Sequence, residues 1–343
     1  MSDTVRGHGV ALRPHLKTAK SAEVARLATA GEVGGITVST LAEAEYFAEH
    51  GFRDILVANA LPPQKLDRVA LLIDAGVTIT LVTDDVSMAR AIAAHRTGFK
   101  VLIEIDCGDN RAGVDANGQE LLEIAQALEG KLAGVTTHAG HSYGCRSVEC
   151  VRGIAETERL SAVTAASRLR DAPFACDVVS VGSTPTMTHA ENLDGVTEAR
   201  PGVYMFQDLF QAEIGSCEKS DIAVTVLASV IGHNTYAKRI LIDAGAIALS
   251  KDRSTQATEH DAGFGEIRDI DNANAFGKCI IERAYQEHGA ATVSNRAIAQ
   301  LSIGDRVRVL PNHACLTAST HDRYYVVDGN HDVVDVWDRV NGW

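Results

Sequence analysis

The chain has no apolar run near the roughly 20 residues that a membrane-spanning helix requires, so a helical span is not expected. Its first ten residues, MSDTVRGHGV, lack the apolar core of a secretory leader, and a cytoplasmic location is the expectation. Basic residues are in deficit: 32 Lys and Arg against 45 Asp and Glu leave a formal charge of −13. Surfaces for nucleic acid or anionic membrane need clustered cations, so neither partner is expected. Aromatic residues are only 5% of the chain, while Ala, Val and Gly are abundant, a balance that suits close packing of helices on a sheet. Seven cysteines, odd in number and scattered, do not form a disulfide framework that the sequence shows. Internal repeats, low-complexity tracts and long linkers are also lacking. With 343 residues the chain exceeds what one core usually serves, so two domains, or a large barrel with an appendage, are expected.

What is present is a regular alternation. Short β-branched, apolar segments occur at 10–14, 34–39, 54–59, 77–83, 100–106, 133–139, 177–182 and 195–201. They are apolar on both sides, as strands of a parallel sheet covered on both faces must be. Amphipathic stretches such as STLAEAEYFAEHG, LDRVALLIDAG and GQELLEIAQALEG lie between them, and several end in Gly, a helix-stop signal. STLAEAE also opens with a Ser/Thr cap candidate and an acidic first turn. Eight such units favour a closed (β/α)8 barrel, with an open doubly wound sheet as the structural alternative. After about residue 218 the texture turns strand-like, with turn signals such as DGN. The expected organisation is therefore an α/β barrel over 1–217 and a mostly antiparallel β domain over 218–343.

In a (β/α)8 barrel the residues just after the strands form the catalytic mouth. Here those residues include His15 and Lys17 in LRPHLKTAKS, Arg111 in DCGDNRAGV, and His138, His141 and Tyr143 in HAGHSYG. GSTPT and PGVY follow the last two strands; each offers closely spaced backbone N–H groups, where barrels commonly hold a phosphate. A lysine facing such a cradle, with no GKS or GKT loop, points to a phosphate-bearing cofactor held as an imine: pyridoxal phosphate. In the second domain PNHACLT sets His313 and Cys315 two apart, on one face if the segment is a strand. Imidazole with thiolate is a typical zinc pair, though a buried cysteine beside a hydrogen-bonded histidine is the plainer alternative.

Taken in order, LRPHLKTAKS, GITVSTLAEAEYF, IEIDCGDNRAGV, THAGHSY, VSVGSTPT, RPGVYMFQDL, DAGAIALSKDR, QEHG and LPNHACLTAS resemble the D-serine dehydratase and D-threonine aldolase family. This is a branch of the pyridoxal-phosphate enzymes with the alanine racemase type of barrel. The resemblance covers nearly the whole chain. It implies an N-terminal (β/α)8 barrel, a C-terminal β domain and a homodimer. It also implies that Lys17 is the imine-forming lysine, buried in the barrel mouth, with Lys20 structural. Arg111 would approach the cofactor's phenolic oxygen, His138 and Tyr143 would flank the ring, and Arg200 would reach the pyridine nitrogen. Gly182, Ser183 and Thr184 with Gly202 and Val203 would hold the phosphate, and His313 and Cys315 would hold Zn2+. His288 would lie near the partner's active site.

The implied reaction is β-elimination from a D-3-hydroxyamino acid of the D-serine or D-threo-3-hydroxyaspartate type, giving a 2-oxo acid and ammonia. Lys17 would take the Cα proton, and zinc would coordinate the β-hydroxyl. Retro-aldol cleavage to glycine and an aldehyde is the alternative; the softness of Cys315 favours zinc and dehydration over the harder ion of the aldolases. Racemisation, which needs no metal, and a cofactor carrier lacking the second domain are the remaining readings. Two departures stand out. The family's opening strand and helix ahead of HGVALRPH are missing from this sequence, so either its start is wrongly assigned or the second domain lacks one strand and has an exposed edge. The family's KTHK is KTAK, with Ala19 in place of a histidine.

Overall fold

The computed structural model describes residues 1–329 and 331–342. It divides into two compact units, Met1–Tyr204, which the chain rejoins at Val340, and Met205–Arg339. The first unit contains β1 (Ala11–Leu12), β2 (Ile36–Val38), β3 (Asp54–Val57), β4 (Thr78–Thr83), β5 (Lys100–Asp106), β6 (Val114–Asp115), β7 (Leu132–Thr137), β8 (Val178–Val181) and β9 (Glu198–Ala199). Apart from the short β6, which pairs only with β5, these are the eight strands read from the sequence. All pairings are parallel, and the order is β1-β9-β8-β7-β5-β4-β3-β2.

The two ends of that path meet. His15 and Thr37 form a parallel bridge. The Leu16 N–H donates to the Thr37 carbonyl at 2.8 Å, and the Thr37 N–H to the Pro14 carbonyl at 2.9 Å. The parallel sheet thus curls round on itself, and the open-sheet alternative does not apply. Its strands are apolar on both sides because both are covered: Ile55, Val57, Val101 and Ile103 on one side are fully buried, and Leu56 and Leu102 on the other are only 1% exposed. The helices start where short polar side chains can accept an otherwise unpaired N–H. Thr40 caps Leu41–Glu49 by accepting from the Glu43 N–H, Asp85 caps Val86–Ala94, and Ser147 caps Val148–Asp171.

In the second unit β10 (Val226–Asn234), β11 (Arg239–Ile242), β12 (Gly265–Arg268), β13 (Ile281–Ala284), β14 (Gly289–Thr292) and β15 (Arg306–Pro311) form an antiparallel sheet. The order is β12-β15-β10-β11-β14-β13, around a core that includes Ile240, Ile242, Ile281, Val307 and Val309. Its end strands also meet, through an antiparallel bridge between Glu266 and Ile280. A separate hairpin, β16 (Arg323–Val327) with β17 (Val333–Asp338), has no further strand paired to it among the described residues.

Candidate active site

β1 ends at Leu12, and the chain turns sharply just beyond it: the Lys20 N–H donates to the Leu16 carbonyl at 2.7 Å. This turn separates the two lysines. Lys20 Nζ lies 3.1 Å from Oε1 of Glu43, whose side chain is wholly buried. Lys17 is exposed, and its backbone N–H donates to His15 Nδ1 at 3.4 Å. The expectation that Lys17 is buried is thus corrected. It stands on a loop at the open end of the barrel, while its neighbours Leu16, Thr18 and Ala19 are the buried members of the turn.

The charge of Lys17 nevertheless reaches two imidazoles. Burial pushes His138 down to about 3, and Lys17, Arg200 and Arg111 push it in the same direction. His15 is held well below the ordinary histidine range by burial first, then by Lys17, Arg200 and His138. Both rings are neutral at physiological pH. Lys17, His138, Arg111, Arg200 and His15 are therefore brought together at the barrel mouth.

Arg200 is buried and held by a chain of polar contacts that crosses the barrel. Its Nε donates to Ser180 Oγ at 2.6 Å, and Nη2 donates to the Thr137 carbonyl. Ser180 Oγ donates to Glu198 Oε1 at 2.7 Å. The other oxygen of Glu198 accepts from Arg13 Nε at 2.8 Å, and Arg13 also pairs with Asp54 at 3.0 Å. Arg111 is more loosely tied, with Nη2 at 3.4 Å from Glu104 Oε1. Tyr143 lies half-buried in the 3-10 turn Gly140–Gly144.

The loops expected to hold phosphate are close together, but not all of their donors are available. The Gly182 N–H donates to Glu158 Oε1 at 2.9 Å, and the Ser183 N–H to Thr186 Oγ1 at 3.0 Å. Ser183 caps Thr184–His189 and shares its hydroxyl with Ser142 at 3.2 Å. Thr184 Oγ1 accepts from the Tyr204 N–H at 3.1 Å, which ties the GSTPT loop to the PGVY loop. Among the described residues, the N–H groups of Thr184, Gly202 and Val203 have no hydrogen-bond partner. These three amides are the donors the fold leaves for an anion. Gly182 has φ +116, which only glycine adopts readily, and a Cβ on Gly202 would lie 2.6 Å from the His15 carbonyl.

A feature the sequence reading did not see lies beside Tyr143. Cys145, just after its turn, forms a disulfide with Cys150 in the first turn of Val148–Asp171, with their Cα atoms 5.6 Å apart. The other five cysteines are not disulfide-bonded.

The second unit holds His313 and Cys315, but not on a strand. β15 ends at Pro311, His313 is the N-cap of the helix Ala314–Ala318, and Cys315 lies in that helix's first turn. A shared strand face is therefore not what brings them together; the helix start is. His313 Nδ1 contacts Asp252 Oδ2, which also accepts from Ser254 Oγ at 2.8 Å. Burial alone would lower the His313 pKa, but the contacts with Asp252 and Cys315 outweigh it and raise it to about 10. Asp208, fully buried, accepts from the Ala314 N–H at 2.8 Å and faces the same histidine. Asp252 lies in the DAGAIALSKDR segment of the sequence, where its role was not apparent. Among the described residues no three His, Cys, Asp or Glu side chains form a group that could hold a metal. No described helix is long and apolar enough to cross a membrane.

Comparison with known proteins agrees with the fold of the two units. The family described as alanine racemase, N-terminal domain, matches residues 1–209, and the putative serine dehydratase domain matches residues 223–327. The D-threo-3-hydroxyaspartate dehydratase of Delftia sp. (strain HT23) is 42% identical over 100% of this chain and 93% of its own. Its solved structure superposes with a TM-score of 0.95, at 41% identity over 100% of this chain and 93% of that one. The D-serine dehydratase of Dictyostelium discoideum is 28% identical over 100% of this chain and 93% of its own. The D-threonine aldolase structure from Filomicrobium marinum gives a TM-score of 0.81 at 25% identity, covering 98% of this chain and 90% of its own.

Proposed function

The chain belongs to the alanine racemase-like family of pyridoxal-phosphate lyases that includes D-threo-3-hydroxyaspartate dehydratase, and from that premise we propose that it dehydrates a D-3-hydroxyamino acid with the help of zinc. The products are a 2-oxo acid and ammonia: oxaloacetate from D-threo-3-hydroxyaspartate, pyruvate from D-serine. The observation that carries this reading is the exposed Lys17, set beside two neutral histidines and a buried arginine in one barrel mouth.

The residues present fit the cofactor. Thr184, Gly202 and Val203 keep unspent amides for a phosphate, and Lys17 offers an accessible amine for the carbonyl carbon. Gly182 and Ser183 shape the loop while their own amides serve the fold. Arg111 would answer the phenolic oxygen, His138 and Tyr143 would flank the ring, and Arg200 would serve the pyridine nitrogen. Pyridoxal phosphate, when bound, supplies an electron sink that acidifies the substrate's Cα–H bond. Lys17 Nζ would take the Cα proton. Ser180 and Glu198 keep the Arg200 guanidinium in one orientation.

His313 and Cys315 would hold zinc. With Nδ1 engaged by Asp252, the imidazole offers Nε2, and the Cys315 sulfur is the second donor. An N/S pair has the softness zinc takes, and positions not filled by protein go to water or substrate, as in catalytic sites. Zinc there would supply Lewis acidity toward a departing hydroxyl. A relative's structure, described as a mutant of D-threo-3-hydroxyaspartate dehydratase in the metal-free form, supports this reading.

The chain functions as a homodimer in this reading, in keeping with its family. The test is product identification with pyridoxal phosphate and zinc, offering D-threo-3-hydroxyaspartate, D-serine and D-threonine separately. Ammonia with a 2-oxo acid supports the dehydratase; glycine with an aldehyde would establish the aldolase reaction instead.

A further inference from the structure

Glu158 lies near the middle of the helix Val148–Asp171, on the stripe formed by Val151, Ala155, Ala162, Ala165 and Leu169. The other buried positions of this helix are apolar apart from Arg159, which pairs with Glu156, and the Glu158 side chain is completely buried. A buried carboxyl is expensive unless it is hydrogen-bonded. One of its oxygens, Oε1, accepts two backbone N–H groups from different loops: Ala139 at 3.0 Å and Gly182 at 2.9 Å. Ala139 follows His138 on the loop after β7, and Gly182 precedes Ser183 and Thr184 on the loop after β8. His138 also bonds to the Gly182 backbone, so the two loops touch at the residues that matter. Thr186, in the turn capped by Ser183, faces the same carboxyl, whose second oxygen makes no hydrogen bond of normal geometry among the described residues. Burial raises the pKa of Glu158 against the opposing pull of these N–H groups.

We propose that Glu158 is a positioning residue for the cofactor: through Oε1 it fixes the spacing between the loop that carries His138 and the loop that carries the Thr184 amide, so that ring and phosphate are gripped at once. This inference rests on the pyridoxal-phosphate reading above. A helix that merely closed the barrel would need no acid here, because alanine fills the adjacent positions of the same stripe. The two accepted bonds tie together the two adjacent loops that meet opposite ends of one ligand. Loss of Glu158 should therefore separate phosphate recognition from ring recognition, whereas a simple loss of packing would weaken both alike.

The test compares binding of pyridoxal phosphate with binding of pyridoxal, which lacks the phosphate, by titration followed in the visible absorbance. Glu158→Met fills the same space without an acceptor; Glu158→Gln retains an oxygen in the place of Oε1. Wild type should prefer the phosphorylated form strongly. In Glu158→Met the ratio of the two affinities should fall about tenfold or more, the value of one or two lost hydrogen bonds, while Glu158→Gln stays within about threefold of wild type. An unchanged ratio in a folded Glu158→Met protein would overturn the inference. If that variant does not fold, Glu158→Asp carries the test: its carboxyl, drawn back by one methylene, should also lower the ratio, and an unchanged ratio there overturns the inference equally. Wild-type protein that fails to bind pyridoxal phosphate would overturn the cofactor reading itself, an outcome distinct from an unchanged ratio in a variant.

Discussion

Lys20 Nζ sits 3.1 Å from the wholly buried carboxylate of Glu43, and this pair explains why two lysines three residues apart have different tasks. Glu43 also accepts from the Ser39 N–H at 3.1 Å, so Lys20 is tied to the end of β2 as well as to the helix behind it. Replacing Lys20 by Ala leaves a buried carboxylate without its cation, which should cost about 3 kcal/mol. Urea unfolding of Lys20→Ala should show that loss, while the folded fraction keeps a cofactor-binding spectrum like that of wild type.

A second expectation concerns acid. His138 is held down to about 3 in the fold, whereas an unfolded histidine takes its proton near 6.5. Between those values the unfolded chain binds a proton that the native chain does not, so native stability falls as pH falls. The contribution is fully present above about pH 6.5 and is lost progressively toward about pH 3, at up to about 1.4 kcal/mol per pH unit for this one ring. His15 acts in the same direction. Denaturant titrations of the cofactor-free protein at pH 7 and pH 5 should show this decline, and His138→Gln should make it shallower.

How much of this could be read beforehand follows from the physics of each feature. The eight barrel strands announce themselves because each is apolar on both sides, and Thr40 announces its helix because Glu43 follows three residues later. Lys17, Arg111, His138 and Arg200 could be placed at the mouth because strand ends face it. The exposure of Lys17 could not, since it depends on how the turn closed by Leu16 and Lys20 is packed. Which amides remain for phosphate was hidden too: Glu158 takes that of Gly182 from another element, while Thr186, within GSTPT itself, takes that of Ser183. Glu158 did leave a trace, as an acid on an otherwise apolar helical stripe. Asp252 lies 61 residues from His313, a separation no local pattern spans.

The metal reading makes its own prediction. Protein prepared with zinc and dialysed should retain the metal, and Cys315→Ala should not, because the thiolate is one of only two protein donors. Turnover should then fall by about a hundredfold or more, the order expected when an active-site group acting on the leaving oxygen is lost. Cofactor absorbance should be unaltered. Metal analysis of wild type and Cys315→Ala, side by side with ammonia release, checks both parts.

The Cys145–Cys150 disulfide predicts a count. Alkylation of the unfolded chain should modify five cysteines before reduction and all seven after it. Closing so short a loop is worth about 2 kcal/mol by chain-entropy arguments, so Cys150→Ser should lower the unfolding midpoint accordingly. The bridge borders the turn that carries Tyr143, and cofactor affinity in Cys150→Ser reports whether that turn loosens.

The assignment of Lys17 is the claim on which the rest depends, and one chemical measurement reaches it directly. Borohydride reduction of the protein loaded with pyridoxal phosphate converts an imine into a stable secondary amine, and peptide mass mapping then locates it. The account predicts a single phosphopyridoxyl group on Lys17, with Lys20 unmodified and no label in Lys17→Ala. A label on Lys20, or one spread over surface lysines, would contradict it.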